Sequence, residues 1–366
     1  MVDKEDSGLR EGAGVHVWLV GGTPDHPGGL ESYCDRALLA LESYGQGLTV
    51  KQLAANTAYM SLRDAWYIGR AFMTLARARR RIDLVWVQVS NLPDLMYLLA
   101  AKLLGLPTLV TPHFGANSRM QKVAWRRFVC RSLLGLADRI GLLFDDQDRE
   151  ISLPNGAVLS TVSTFLPRLA LVDPPAGASV EKRRLRIVHA GRFSADKGSF
   201  QMLEVCACLR ERGIAFNAQL IGRSDEATMQ RMREMIAASD LESEVELVDW
   251  LSEADMQQAL RDADVLVHLS AIDSFPLIVL EALASGTLPI IRNMAGAKHM
   301  VTKLGGHVVE HGRAVADACE WICNLDKESL REQQAQARIR TRATYGWQTV
   351  VAALSATFEQ TLKRSV

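Results

Sequence analysis

The chain has 366 residues, more than one ordinary hydrophobic core takes up, so about two domains are expected. Basic and acidic residues balance at 42 each, which removes the global positive charge expected of a nucleic-acid binder, and the 48% hydrophobic content is that of a packed globular protein. The most apolar stretch, "LMYLLAAKLLGL", is interrupted by Lys102 and closed by Pro107, too short to span a bilayer.

Short apolar runs alternate with helical patterns, the signature of parallel sheets wound through helices. The polar opening "MVDKEDSGLREGAG" carries no leader pattern, and the expected location is cytoplasmic. "VHVWLVGG" (15–22) reads as a strand. After it, "GGTPDHPGGLE" places Gly28 and Gly29 before a helix, where their backbone can approach a ligand at a helix N-terminus. It is not the dinucleotide fingerprint, since no G-x-G-x-x-G stands here. "LVWVQV" (84–89) and "PTLVTPH" (107–113) are further strands with the helix "DLMYLLAAKLLG" between them. His113 ends the second of these and opens a glycine-containing loop, a position from which it can touch ligand. "SRMQKVAWRRFVCRSLLG" puts Arg119, Lys122 and Arg126 on one helical stripe beside Trp125 and Phe128. "FDDQD" (144–148) reads as solvated acids.

A composition break, "LVDPPAGASVEKRR" (171–184), marks a linker. The expected division is 1–172, a linker at 173–184, a second domain at 185–344 and a closing amphipathic helix at 345–366 that packs back on the first domain. The winding restarts with strands at 185–192, 216–223, 245–250, 263–270 and 287–293. Two doubly wound domains bind ligands between the carboxyl ends of their strands, so functional residues should follow strands. His189 and His268 fall inside strands that read as buried. The six cysteines (Cys34, Cys130, Cys206, Cys208, Cys319 and Cys323) follow no zinc or disulfide spacing and read as reduced thiols.

Two segments carry chemistry. In "HAGRFSADKGSF" (189–200), Arg192 and Lys197 flank a loop between strand and helix, where two cations can neutralise a diphosphate. In "DSFPLIVLEALASG" (273–286), Asp273 and Glu281 stand eight positions apart around an apolar run. Ser274 or Asp273 can cap a helix whose early positions hold Phe275 and Pro276. The two carboxylates are too far apart for one acid–base pair, but suit opposite ends of an elongated ligand with a helix N-terminus between them for its phosphate.

The strand–"GR…KG" loop followed by "ADVLVHLSAIDSFPLIVLEALASGTLPII" resembles the donor-binding domain of retaining GT-B glycosyltransferases of the family 4 type, glycosyltransferase group 1. The likeness is strong over 185–296 and looser before 170. It implies two Rossmann-like α/β domains facing across a cleft, and transfer of a hexosyl unit from a UDP-sugar or GDP-mannose with retention. It implies that Arg192 and Lys197 bind the diphosphate, that Glu281 bonds the ribose and that Asp273 bonds the donor sugar. The N–H groups of Ser274 and Phe275 would lie at the sugar–phosphate end, Trp250 at the base and His113 beside the reacting sugar. The Gly28–Gly29 loop would close on phosphate or acceptor. No metal or other cofactor is implied.

The chain departs from the pattern in four places. Asp273 stands for a usual glutamate, Pro276 offers no N–H, Arg223 and Ser224 replace a glycine-rich turn, and Asp249 replaces a glycine before Trp250. His299 also stands where an acid is common. Residues 60–131 hold 12 Lys/Arg against three acids, interleaved with aromatic residues. That asymmetry points to an anionic membrane surface and a lipid-linked or saccharide acceptor at the cytoplasmic face, rather than to RNA. Competing readings are a catalytically silent sugar-nucleotide-binding subunit, or another enzyme on this scaffold such as a sugar nucleotide epimerase. Base, sugar, acceptor and linkage stay open at this stage.

Overall fold

The computed structural model describes residues 14–22, 28–55, 62–172, 184–273 and 275–364. The first sheet contains β1 (Val15–Val20), β2 (Leu48–Leu53), β3 (Leu84–Val89), β4 (Thr108–Pro112), β5 (Arg139–Leu142) and β6 (Leu159–Thr161), in the order β2-β1-β3-β4-β5-β6. The second contains β7 (Leu185–Ala190), β8 (Phe216–Ile221), β9 (Val245–Val248), β10 (Val265–His268), β11 (Leu288–Arg292) and β12 (His307–Val309), in the order β12-β11-β10-β7-β8-β9. Every pairing is parallel. All six residues of β3 are buried, as a strand covered by helices on both faces requires.

The first sheet is covered by α1 (Gly29–Tyr44), α2 (Leu62–Ala78), α3 (Leu95–Leu103), α4 (Arg119–Lys122), α5 (Ala124–Leu134) and α6 (Gln147–Glu150). The second is covered by α7 (Ser199–Glu211), α8 (Glu226–Ala238), α9 (Glu253–Asp262), α10 (Leu277–Ser285), α11 (Ala295–Leu304), α12 (Ala314–Cys323) and α13 (Lys327–Tyr345). The last helix, α14 (Trp347–Arg364), lies against the first sheet's core. Phe358 meets Trp86 edge-on at 5.4 Å, and Trp347 Nε1 donates to the Leu166 carbonyl at 2.8 Å.

Three sequence expectations change. The basic stripe is not one helix: Val123 is extended (φ −96°, ψ 118°), so Arg119 and Lys122 belong to α4 while Arg126 belongs to α5. The cysteines are not all free, because Cys208 on α7 and Cys319 on α12 form a disulfide. Cys206, two positions from Cys208 on the same helix, is buried and unpaired. Asp145 of the "FDDQD" segment, although exposed, is paired with Lys303 of the other domain at 2.8 Å.

Backbone constraint fixes the junction of β7, α7 and β10. Gly198, the N-cap of α7, has φ 80°, and a Cβ there would lie 2.6 Å from the Leu269 carbonyl carbon. Only glycine allows the loop carrying Lys197 to seat against the end of β10. Gly213 (φ 70°) faces open space. Gly213→Ala should cost about 1–2 kcal/mol, the left-handed penalty alone, and Gly198→Ala clearly more, as read from urea midpoints. Equal losses would contradict the close approach.

Candidate functional site

Sheet order locates the cleft. The strand order reverses between β1 and β3 in one sheet and between β7 and β10 in the other, and loops leaving such strands form the ligand crevice of doubly wound folds. A cleft of about 730 Å³ lies there. It is lined from the first domain by residues including Gly28, Gly29, Arg36 and His113, and from the second by Lys197, Trp250, Asp273, Phe275 and Glu281.

At one end stands a charged cluster. Asp273 follows β10 and accepts from Lys197 Nζ through Oδ1 and from His268 Nε2 through Oδ2, the latter at 3.0 Å. Burial alone would raise the Asp273 carboxyl. His268 and Lys197 outweigh it and hold the group well below the usual carboxylate range. Asp273 is therefore no helix cap. Helix α10 begins at Leu277 with Pro276 at its N-cap position and no side-chain cap, so its first turn opens into the cleft. Phe275 lines the cleft and stacks on Phe144 of the first domain at 5.5 Å. Ser274 lies outside the described residues.

At the other end, Glu281 is 8% exposed and bound on both oxygens. Arg36 Nη1 of α1 donates to Oε1 at 2.8 Å, and Gln257 Nε2 donates to Oε2 at 3.2 Å. Arg36 also reaches Glu253 at 3.3 Å, so one guanidinium serves two carboxylates of the opposite domain. Trp250 stands beside this group, 54% exposed. Two of the sequence departures pair with each other here: Arg223 grips Asp249 with contacts of 2.5 and 3.3 Å, and Asp249 Oδ1 accepts from the Trp250 N–H.

His113 faces the middle of the cleft. Its Nε2 lies 2.8 Å from Gln88 Oε1, an acceptor, so the proton sits on Nε2. Tyr33 packs edge-on against the ring at 4.6 Å. Burial pushes the imidazole down to about 3, so it is neutral at pH 7 and serves as a polar wall rather than a proton donor. Gly28 and Gly29 open α1 without a side-chain cap, a second helix N-terminus on the cleft. A Cβ on Gly29 would meet nothing within 4 Å, so space for a close ligand remains there.

Most sequence-assigned residues thus converge. Arg192 does not: it is exposed and outside the lining, one position beyond Gly191, which is inside it. Arg36, Glu253, Gln257 and His268 were missed. His268 is buried as its strand predicts, but its position at the last residue of β10 was the signal that it could reach the site. Arg36 had no local signal, because its partner lies 245 residues away.

Residues 176–340 match the family described as Glycosyl transferases group 1. Through this stretch the chain is similar to the group 1 glycosyl transferases. The group 1 match covers the linker, the second sheet and most of α13. Among curated proteins, it is 24% identical over 255 residues to GDP-mannose:cellobiosyl-diphosphopolyprenol alpha-mannosyltransferase of Xanthomonas campestris, covering 68% of this chain and 66% of that one. It is 25% identical over 213 residues to phosphatidyl-myo-inositol mannosyltransferase of Mycobacterium leprae, covering 57% of this chain and 53% of the other. The chain therefore spans between about half and two thirds of these relatives' lengths. The two-sheet architecture is the GT-B fold. The Anabaena protein Alr3699/HepE, solved with UDP and glucose, superposes with a TM-score of 0.74 at 14% identity, over 94% of this chain and 100% of that one.

Buried neutral histidines make stability pH-dependent. His189, bonded to the Val267 carbonyl and Ser199, is also pushed down by burial, to about 4. Unfolded histidine titrates near 6.5, so below that pH the unfolded chain takes up protons that the folded one refuses. Stability should hold above about pH 7 and fall as pH drops toward 4, with a smaller fall in His113→Gln. Urea midpoints unchanged between pH 7 and 5 would contradict the neutral, buried assignment.

Proposed function

We propose that the chain transfers a hexosyl unit from a UDP-sugar or GDP-mannose, with retention at the anomeric carbon, to a membrane-associated acceptor such as a lipid-linked saccharide. The observation that carries the reading is the uncapped first turn of α10, flanked by Asp273 with Lys197 on one side and by Glu281 on the other. A nucleoside diphosphate sugar has the matching order of groups: sugar hydroxyls for Asp273, diphosphate for Lys197 and the helix N-terminus, ribose hydroxyls for Glu281, and a base beside Trp250.

In the step, a new bond forms between the acceptor oxygen and the anomeric carbon as the bond to phosphate breaks on the same face. The leaving phosphate oxygen takes the acceptor proton. Lys197 and the α10 N-terminus compensate the charge that grows on the diphosphate, and neutral His113 shapes the sugar end without supplying a proton.

The acceptor side rests on the first domain. Trp66 on α2 and Trp125 and Phe128 on α5 are 72%, 58% and 72% exposed, and Arg126 lies over the Trp125 ring at 5.2 Å. Helices α2 and α5 both pack on α3, and exposed arginines such as Arg70 and Arg127 accompany the aromatic residues. A basic and aromatic face of this kind suits an anionic bilayer surface. The Xanthomonas relative, named as a cellobiosyl-diphosphopolyprenol mannosyltransferase, supports the same class.

Glu281→Ala should raise the dissociation constant for the preferred nucleoside diphosphate about tenfold or more, whereas Lys197→Ala should chiefly lower turnover, by roughly 10²–10³-fold. Calorimetric titration and a transfer assay separate the two. Wild-type behaviour in both variants would remove the assignment. Independently, Trp125→Ala with Phe128→Ala should weaken sedimentation with phosphatidylglycerol vesicles and leave UDP and GDP binding unchanged; vesicle binding that survives both changes would argue against the membrane face.

A further inference from the structure

His268 occupies an unusual place for a strand residue. Its chain neighbours, Val267 on β10 and Leu269 just after it, are fully buried, and the histidine itself is 5% exposed. Among the described residues the ring makes one hydrogen bond, Nε2 to Asp273 Oδ2 at 3.0 Å, and its Nδ1 is buried without a partner. Because an ionised carboxylate only accepts, the proton of this bond belongs to Nε2. An apolar side chain would fill the same position without orphaning a polar atom, so packing does not account for histidine here. What the imidazole supplies is a fixed donor to one oxygen of Asp273.

That carboxylate is held from two sides. Lys197, in the loop after β7, takes Oδ1, and His268, at the end of β10, takes Oδ2. These two strands are neighbours at the reversal of the sheet. With a donor on each oxygen from a different strand, the carboxylate cannot rotate about its terminal bond without losing one of them. Each oxygen keeps a further acceptor position, and those two positions point where the held plane directs them. Asp273 is one methylene shorter than glutamate, which keeps the group back within reach of β10.

We propose that His268 is a positioning residue that fixes the plane of the Asp273 carboxylate and thereby sets which sugar epimer the site accepts. The inference rests on the reading of Asp273 as the contact to the donor sugar's hydroxyls. A site that reads a hydroxyl by directed acceptors rejects an epimer whose hydroxyl points elsewhere, and it loses that power when the acceptors turn freely.

The test needs no acceptor. Dissociation constants are measured calorimetrically for UDP, UDP-glucose, UDP-galactose, GDP, GDP-mannose and GDP-glucose, on the wild type and on His268→Leu, His268→Gln and Asp273→Asn. Leucine suits the strand, and glutamine carries an N–H near the position of Nε2. In His268→Leu the preference between epimers on the better base should shrink at least about fivefold, while the bare diphosphate binds within about twofold of wild type. His268→Gln should keep most of the preference.

An unchanged preference in His268→Leu overturns the proposal. So does a parallel loss of bare diphosphate and sugar nucleotide binding, which marks a structural role, or a folded His268→Gln that has lost the preference entirely. If Asp273→Asn also leaves sugar nucleotide binding untouched, the fault lies in the reading of Asp273. If Asp273→Asn loses it and His268→Leu does not, only the role of His268 falls. A wild type that binds none of the six ligands ends both.

Discussion

Glu281 is buried, and a carboxylate removed from water persists as an anion only with charge and hydrogen-bond partners. Its partners come from both domains: Gln257 from its own, Arg36 from the other. The same guanidinium also holds Glu253. The two domains are therefore tied together at the point where two carboxylates of the second domain meet one guanidinium of the first. Any ligand that uses Glu281 must exchange hydrogen bonds with Arg36 rather than with bulk water. At the opposite end the domains meet through the Phe144–Phe275 stack and through Asn117, whose Nδ2 donates to the Ala271 carbonyl at 3.3 Å. Between these ties the cleft stays open.

The parallel sheets make that arrangement possible. Each strand delivers its following loop to the same side, so Lys197, Asp273 and His113 arrive at the cleft from three strands without any long excursion of the chain. Helices α1, α9 and α10 present their N-termini to the same space. Those of α1 and α10 lack side-chain caps, whereas α8, α9 and α13 are capped by Asp225, Ser252 and Asp326. Unsatisfied N–H groups, one lysine and two carboxylates at opposite ends give a site with a direction, suited to a long polar ligand with an anionic centre.

The strands buried on both faces were legible as apolar runs, and β3, β4, β7, β8, β10 and β11 fall where the sequence places them. The strands that escaped notice were the edge strands β2, β6 and β12 and the short β5. In β2, "LTVKQL" alternates more and less exposed positions because one flank meets solvent, and in β6 and β12 three residues are too few for a pattern. The start of α10 was read two or three positions early, because Asp273 resembles a cap in sequence while its carboxylate is claimed by Lys197 and His268. On the second domain the site residues follow strand ends and could be found in sequence. Arg36 could not, since a helix surface cation declares no partner until two domains dock. The break at Val123 was equally hidden, since "QKVAW" contains neither proline nor glycine.

The account stands or falls on whether the α10 cleft takes a nucleoside diphosphate. The most direct measurement is a thermal-shift comparison of the purified protein with UDP, GDP, dTDP, ADP and NAD. A ligand present at about 100 times its dissociation constant should stabilise the protein by about 2.7 kcal/mol, a shift of a few degrees. The account predicts that UDP or GDP gives that shift and that the others do not match it. Stabilisation by NAD alone, or no response to any of the five, would contradict it.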